Sequence, residues 1–138
     1  MTAEVTHLDR YDAWARLRGL SFGRLAVSLD GQPDIFPVNF LANENTILIR
    51  TEPGTKVDDI ARNPHVAFEA DAAGDDAAWS VVVKGVAVRI DESQARANAE
   101  HSPLWSWAPG SKHLFLRIAP TEVTGRLFPR GAHAGSRG

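Results

Sequence analysis

The sequence predicts a mainly β protein with short helices, folded as a small antiparallel β-barrel. Three observations predict it. Asp30-Gly31 stands between two alternating apolar runs, the strongest two-residue hairpin signal. Trp79–Ile90 is a long strand pattern, apolar on both faces in its middle, as suits a closed barrel or a subunit interface. About six strand patterns are joined mostly by hairpin turns, with short helical patterns at the rims. Closing such a sheet removes the exposed edges that so many Val and Ile strands would otherwise present.

The elements follow in order. Leu8, Tyr11, Trp14 and Leu17 recur at roughly helical spacing, so residues 1–19 are expected to form an N-terminal helix ending near Gly19. GRLAVSL puts Leu25, Val27 and Leu29 on one face of a strand, and PDIFPVNFL, residues 33–41, returns after Asp30-Gly31. Pro37 cannot donate to a ladder, which predicts an edge, a bulge or a bend there. Asn43-Glu44-Asn45 turns the chain into TILIRT, residues 46–51, and Glu52-Pro53-Gly54 turns it again. Thr55 stands three residues before Asp58, an N-cap pattern for the helix KVDDIARN, which Pro64 ends. HVAFEA, residues 65–70, is the next strand, followed by an acidic Ala/Gly loop and then Trp79–Ile90. Asp91–Glu100 reads as a weakly amphipathic helix, and Pro103–Gly110 as a loop. Residues 113–118 and 121–128 make the last strands.

With 138 residues the chain has room for one domain, expected over residues 1–128, and residues 129–138 read as a flexible tail rich in Pro, Gly, Ser and Ala. Lys+Arg is 15 and Asp+Glu is 17, a formal net charge of −2, which argues against a protein that grips nucleic acid by charge. With 0 Cys there are no disulfides, thiolate metal sites or thiol nucleophiles. No apolar run approaches the roughly 20 residues that span a bilayer, and MTAEVTHLDRYDAW lacks the pattern of a secretory signal, so a cytoplasmic protein is expected.

Few residues stand out as chemical. The five His, at 7, 65, 101, 113 and 133, show no close pairing, and no HxH or HExxH occurs, so no metal site is expected. Ser28, Ser80 and Ser93 lack a nucleophile-elbow context. Asp58-Asp59 and Asp75-Asp76 read as solvated faces. The stretch from Ile49 to Lys56 is the most informative. A strand end delivers Arg50 and Thr51, a Pro-Gly turn follows, and a helix starts beside Thr55 and Lys56. Free N–H groups at a helix start, with Thr hydroxyls, Arg and Lys, make a phosphate-binding constellation; the bland reading is a capped turn with surface charges. Lys84, in the apolar strand VVVKGVAV, either reaches the rim or meets an anion or a partner subunit, and Gly85 beside it suggests a bulge. Trp105 and Trp107 lie on one loop, either as a lid over a flat ring or as a plug of the barrel end, and the lid is the expectation.

GRLAVS with its Asp-Gly hairpin, PDIFPVNF, TILIRTEPGTK, NPHVAFEAD and WSVVVKGVAV follow one another as in the pyridoxamine 5′-phosphate oxidase-like, FMN-binding split-barrel superfamily. The chain most resembles the small bacterial branch that includes the nitroimidazole-resistance proteins, over roughly residues 20–125. The resemblance implies a six-stranded antiparallel split β-barrel that forms a homodimer, with FMN in two equivalent sites at the dimer interface. It implies a flavin-dependent oxidoreductase acting on a small organic substrate, without nucleic-acid or membrane partners. Val38, Asn39 and Phe40 would line the ring, Arg50 and Thr51 would sit near the ring and ribityl chain, and Thr55 and Lys56 would hold the phosphate. Trp79, Ser80 and Val81 would open a further wall, and Trp105 and Trp107 would come from the second subunit. The resemblance assigns no catalytic acid or base, and Arg50 is the candidate to stabilise the anionic reduced ring. Nitroimidazole-resistance-like members carry His where this chain has Arg50, which argues against nitroimidazoles as substrates. The oxidase itself has a longer C-terminal segment with substrate-contacting Arg and His, which argues against pyridoxamine phosphate oxidation. Other members use a deazaflavin coenzyme or bind haem or fatty acids, and the sequence leaves open these ligands, FAD, or a flavin that is only stored.

Overall fold

A computed structural model describes residues 4–43, 45–91, 93–95 and 114–129, with the backbone alone at residues 55 and 56. The elements run β1 (Thr6–Leu8), α1 (Arg10–Leu17), β2 (Phe22–Leu29), β3 (Gln32–Asn43), β4 (Thr46–Thr51), α2 (Thr55–Arg62), β5 (His65–Ala73), β6 (Ala77–Ile90) and β7 (Leu114–Pro129). The sheet order is β1-β7-β4-β3-β2-β5-β6, and β6 also pairs with β7. That last pairing closes six strands into a barrel, and β1 is added on the outside of the ring. The expected six-stranded split barrel is therefore present, with a seventh short strand joined to it.

The split lies in β7. Its first part pairs with β4, Ile47 opposite Ile118 and Thr51 opposite Leu114. Its later part pairs with β1, Thr6 opposite Leu127. The two strands expected over 113–118 and 121–128 are thus one continuous strand, because β6 runs beside it from Ala77↔Pro129 to Ile90↔Phe115. Pro129, expected in the tail, ends that strand, and residues 130–138 lie outside the described residues.

The N-terminal helix is shorter than the expected 1–19. The Asp9 side chain accepts a hydrogen bond from the Asp12 N–H at 2.8 Å and starts the helix there, while Leu8 is spent in β1 opposite Gly125. Ala13, Trp14 and Leu17 face the core, whereas Tyr11 is 75% exposed and takes no part in it. The Asp30-Gly31 turn forms as expected, with positive φ at both residues, 53° and 79°. This is the hairpin turn whose twist matches the strands it joins. At Pro37, β3 pairs only with β2, since its contacts with β4 begin at Asn39, so the proline sits on a local sheet edge.

Alternation sets the core. Leu25, Val27, Phe36, Val38, Phe40, Ile47, Ile49, Phe68, Val81, Val83, Leu116 and Ile118 point inward and join one cluster. Phe40 and Phe68 meet edge-on with centroids 4.6 Å apart. Burying each such side chain stabilises the fold by ~1.5–3 kcal/mol. The register of β6 and β7 shifts between Lys84 and Gly85, the bulge that Gly85 suggested.

A third helical segment begins after Asp91. Its carboxylate accepts from the Gln94 N–H and the Ser93 hydroxyl, both at 2.8 Å, and these bonds hold its pKa below the usual carboxylate range. The remainder of the helix expected to Glu100 lies outside the described residues.

Candidate functional site

Outward-facing residues of β3, β4, β7 and β6 build a platform on the outside of the barrel. Leu48, Ile90, Ala95 and Phe115 are buried there in a cluster separate from the barrel core, with Leu41 packed against it. Cross-strand register explains the grouping. Phe22 stands opposite Asn39, Asn39 opposite Arg50, Arg50 opposite Phe115, and Phe115 opposite Ile90. One row of the sheet thus carries an amide, a guanidinium and three apolar side chains. The next row runs Leu41, Leu48, Arg117 and Val88. Asn39 is exposed and Arg50 half-buried, so both polar groups are at the surface of an apolar bed. A flat ring with a polar edge suits that arrangement.

β4 ends at Thr51 and the chain turns through Glu52-Pro53-Gly54 into α2. The expected cap residue is corrected here. Gly54 is the N-cap, and Thr55, expected to cap, is the first helical residue. Glycine supplies no side-chain oxygen, so the start of α2 carries no side-chain cap hydrogen bond. The Gly54 carbonyl accepts from the N–H groups of Val57 and Asp58 at 3.1 and 3.3 Å. Among the described residues nothing lies within 4 Å of a Cβ built at Gly54. Val57 and Ile60 anchor the other side of α2 in the protein interior.

The structure sorts the sequence-derived site residues into groups. Asn39 and Arg50 share the outer row, Thr51 follows at the strand end, and Thr55 and Lys56 open α2 next in the chain. The side chains of Thr55 and Lys56 lie outside the described residues. Val38, Phe40 and Val81 point into the core, at 5%, 1% and 0% exposure, so ring contacts from their side chains are not available on the outer face. Alternation requires this: with Asn39 outside, its two neighbours face in. Ser80 is on the outer face, opposite Asp71 and Arg126, away from the Asn39–Arg50 row. Trp79 packs against the barrel core with the Arg16 guanidinium 5.7 Å from its ring centroid, which ties it to α1. Trp105 and Trp107 lie outside the described residues. Lys84 is exposed on the outer face of β6.

Sequence reasoning missed the platform residues Leu48 and Phe115, because continuous apolar runs in β4 and β7 hide which side chains face out. It also missed a charged cluster on β2 and β5. Arg24 pairs with Glu69 at 2.9 Å and with Asp71 at 3.4 Å. Burial pushes the Glu69 carboxyl up to about 7, the hydrogen bond that protonated Glu69 donates to Asp71 adds to the rise, and Arg24 opposes it. The strand spacing of Glu69 and Asp71, two residues apart and so on one face, was the available signal. Among the described residues no three His, Asp or Glu cluster in a way that could hold a metal ion, and no helix is long and apolar enough to cross a membrane.

Comparison with known proteins assigns the family. The family model for pyridoxamine 5′-phosphate oxidase matches residues 9–127. The chain belongs to that family. Three solved structures of similar proteins agree with the assignment. A candidate pyridoxamine 5′-phosphate oxidase from Corynebacterium glutamicum is 38% identical, with a TM-score of 0.77 over 96% of this chain and 99% of that one. The FAD-binding protein of Mycobacterium smegmatis is 35% identical, with a TM-score of 0.77 over 91% and 100%. An FAD-binding protein of Mesorhizobium loti is 27% identical, with a TM-score of 0.75 over 89% and 97%. Membership in the pyridoxamine 5′-phosphate oxidase family accounts for the closed ring of six strands, and the two FAD-binding relatives span nearly the same length.

Proposed function

We propose that this chain binds FMN on the outer face of β3 and β4, with the phosphate at the start of α2, and that the flavin serves redox chemistry on a small organic substrate. The observation that carries the reading is the start of α2 without a side-chain cap hydrogen bond, directly after the strand that bears Arg50 and Thr51. A helix start of this kind favours an anion through its N–H groups and dipole. Lys56 would add a charge-assisted bond, and Thr55 a hydroxyl. Asn39 and Arg50 would meet the polar edge of the ring, and the Leu48 and Phe115 platform its apolar body. The donors present fit one phosphate and one flat ring.

A bound flavin supplies hydride and electron transfer; the protein binds, orients and tunes it. Arg50 would place a fixed positive charge beside a bound ring and so favour negative charge there. The chemistry needs no side-chain acid or base here.

The site is proposed to be shared by a homodimer. Phe22 and Val88 are 52% and 42% exposed, and they stand at the two sides of the Asn39–Arg50 face. Such exposed apolar residues beside a ligand face favour cover by a second copy. Sedimentation as a monomer at micromolar concentration would contradict this part.

The FAD-binding relatives support a second reading, in which the cofactor is FAD held at the same helix start. Denaturing the purified protein and weighing the released cofactor decides. Release of FMN supports the first reading, FAD the second, and a haem, a deazaflavin or an empty protein that takes up no flavin overturns both.

A further inference from the structure

We infer that a second groove, on the outer face of β2, β5 and β6, binds a small aryl carboxylate with its charge on Lys84. The inference does not rest on the flavin reading, since the lining of the groove includes no residue of β4 and none of the start of α2. The groove is a shallow one, open to solvent, of about 440 Å³, and its lining includes Ala26, Ala67, Pro33, His65, Lys84 and Thr121.

Register builds it. Ala26 stands opposite Ala67, and Ala67 opposite Lys84, so the three form one line across neighbouring strands. Two alanines between bulkier neighbours leave a flat apolar floor. At about 5 Å per strand the line spans about 10 Å, the reach of a one-ring carboxylate. Lys84 stands at the far end of that line.

Three devices fix the backbone under Lys84. The ladder passes from Lys84↔Glu122 to Gly85↔Pro120, which leaves Thr121 as an extra residue on β7. The Thr121 hydroxyl donates to the Lys84 carbonyl at 3.2 Å. A Cβ at Gly85 would lie 2.2 Å from the Ala119 carbonyl oxygen, so only glycine lets the strands close there. Bulges re-aim side chains, and this one sets the direction of Lys84.

Lys84 makes no ion pair with a described residue. Glu122 is the cross-strand neighbour of Lys84, and His65 stands on β5 at the same groove. An apolar floor with one unpaired cation at its end selects a flat organic anion over a neutral ring of the same shape.

Benzoate and benzamide are suitable probes. The ¹⁵N-labelled full chain, as purified, is titrated with each and followed by its amide resonances. Benzoate is expected to give saturable shifts at Ala26, Ala67, Lys84 and Gly85, and benzamide to bind at least about fivefold more weakly. Lys84→Met should weaken benzoate about five- to tenfold, and Lys84→Arg should restore it. Ala67→Leu, which fills the floor and leaves Lys84 in place, should abolish the shifts. Equal binding of benzamide, an unaffected Lys84→Met protein, or benzoate shifts confined to Asn39, Arg50 and the start of α2 would each overturn the inference. That last pattern would locate the anion at the proposed flavin face, so the two readings fail separately.

Discussion

Replacing Gly85 with alanine tests the closure of the barrel. The added Cβ would lie 2.2 Å from the Ala119 carbonyl oxygen, 2.9 Å from its carbon and 3.0 Å from the Ile118 Cγ2. The first two are backbone atoms, so no side chain can swing away. A carbon and an oxygen in contact stay beyond about 3.3 Å, so β6 and β7 must part by about 1 Å at the bulge. Overpacking of this kind costs about 1–3 kcal/mol, and a weakened ladder bond about 0.5–1.5 kcal/mol. A total of about 2–4 kcal/mol lowers the midpoint of a chain this size by about 7–14 °C. Thermal unfolding followed by circular dichroism reads it directly. Gly74→Ala is the control, because its Cβ meets only the Ala77 carbonyl oxygen, at an ordinary 3.7 Å. A Gly85→Ala midpoint within about 2 °C of the control would refute the close approach of the two strands.

Phe68→Ala should cost about 3–5 kcal/mol, since Phe68 is wholly buried and packs edge-on against Phe40; a chemical denaturation midpoint unchanged from wild type would contradict its place in the core. Glu69 titrates near 7 in the folded protein against an ordinary 4.5, because burial, then Asp71, disfavours its ionised form. The folded state therefore holds the extra proton between these values, so Glu69's contribution is fully present below about 4.5 and is lost as pH rises through about 7. Glu69→Gln, neutral throughout, should flatten the fall in melting midpoint over that window, and parallel curves for the two proteins would rule the shift out.

Much of the barrel was legible because alternation and turn chemistry are local. Leu25, Val27 and Leu29 on one face and Asp30-Gly31 at the turn required no tertiary information. The short β1 was not legible, because three residues, Thr6–Leu8, have no pattern of their own and are held by β7. The same strand absorbed the break expected between residues 118 and 121, where the structure has a bulge within one strand. At the candidate site, the order of the segments put Asn39, Arg50 and Thr51 forward, and register sets Asn39 opposite Arg50. Val38, Phe40 and Val81 came along as neighbours, and the pleat turned their side chains inward. Leu48 and Phe115 were hidden because a strand covered on both faces has no alternation to read. The Arg24, Glu69 and Asp71 cluster joins strands distant in sequence, and only the β2–β5 register brings it together.

The central claim is that the start of α2, with Lys56, holds the phosphate of a flavin. Calorimetric titration of the cofactor-free protein and of Lys56→Ala, each with FMN and with riboflavin, tests it most directly. A charge-assisted bond contributes about 1.5–3 kcal/mol, so FMN should bind Lys56→Ala roughly 10- to 150-fold more weakly than wild type while riboflavin affinity stays the same. Equal weakening of both ligands, or of neither, would contradict the account.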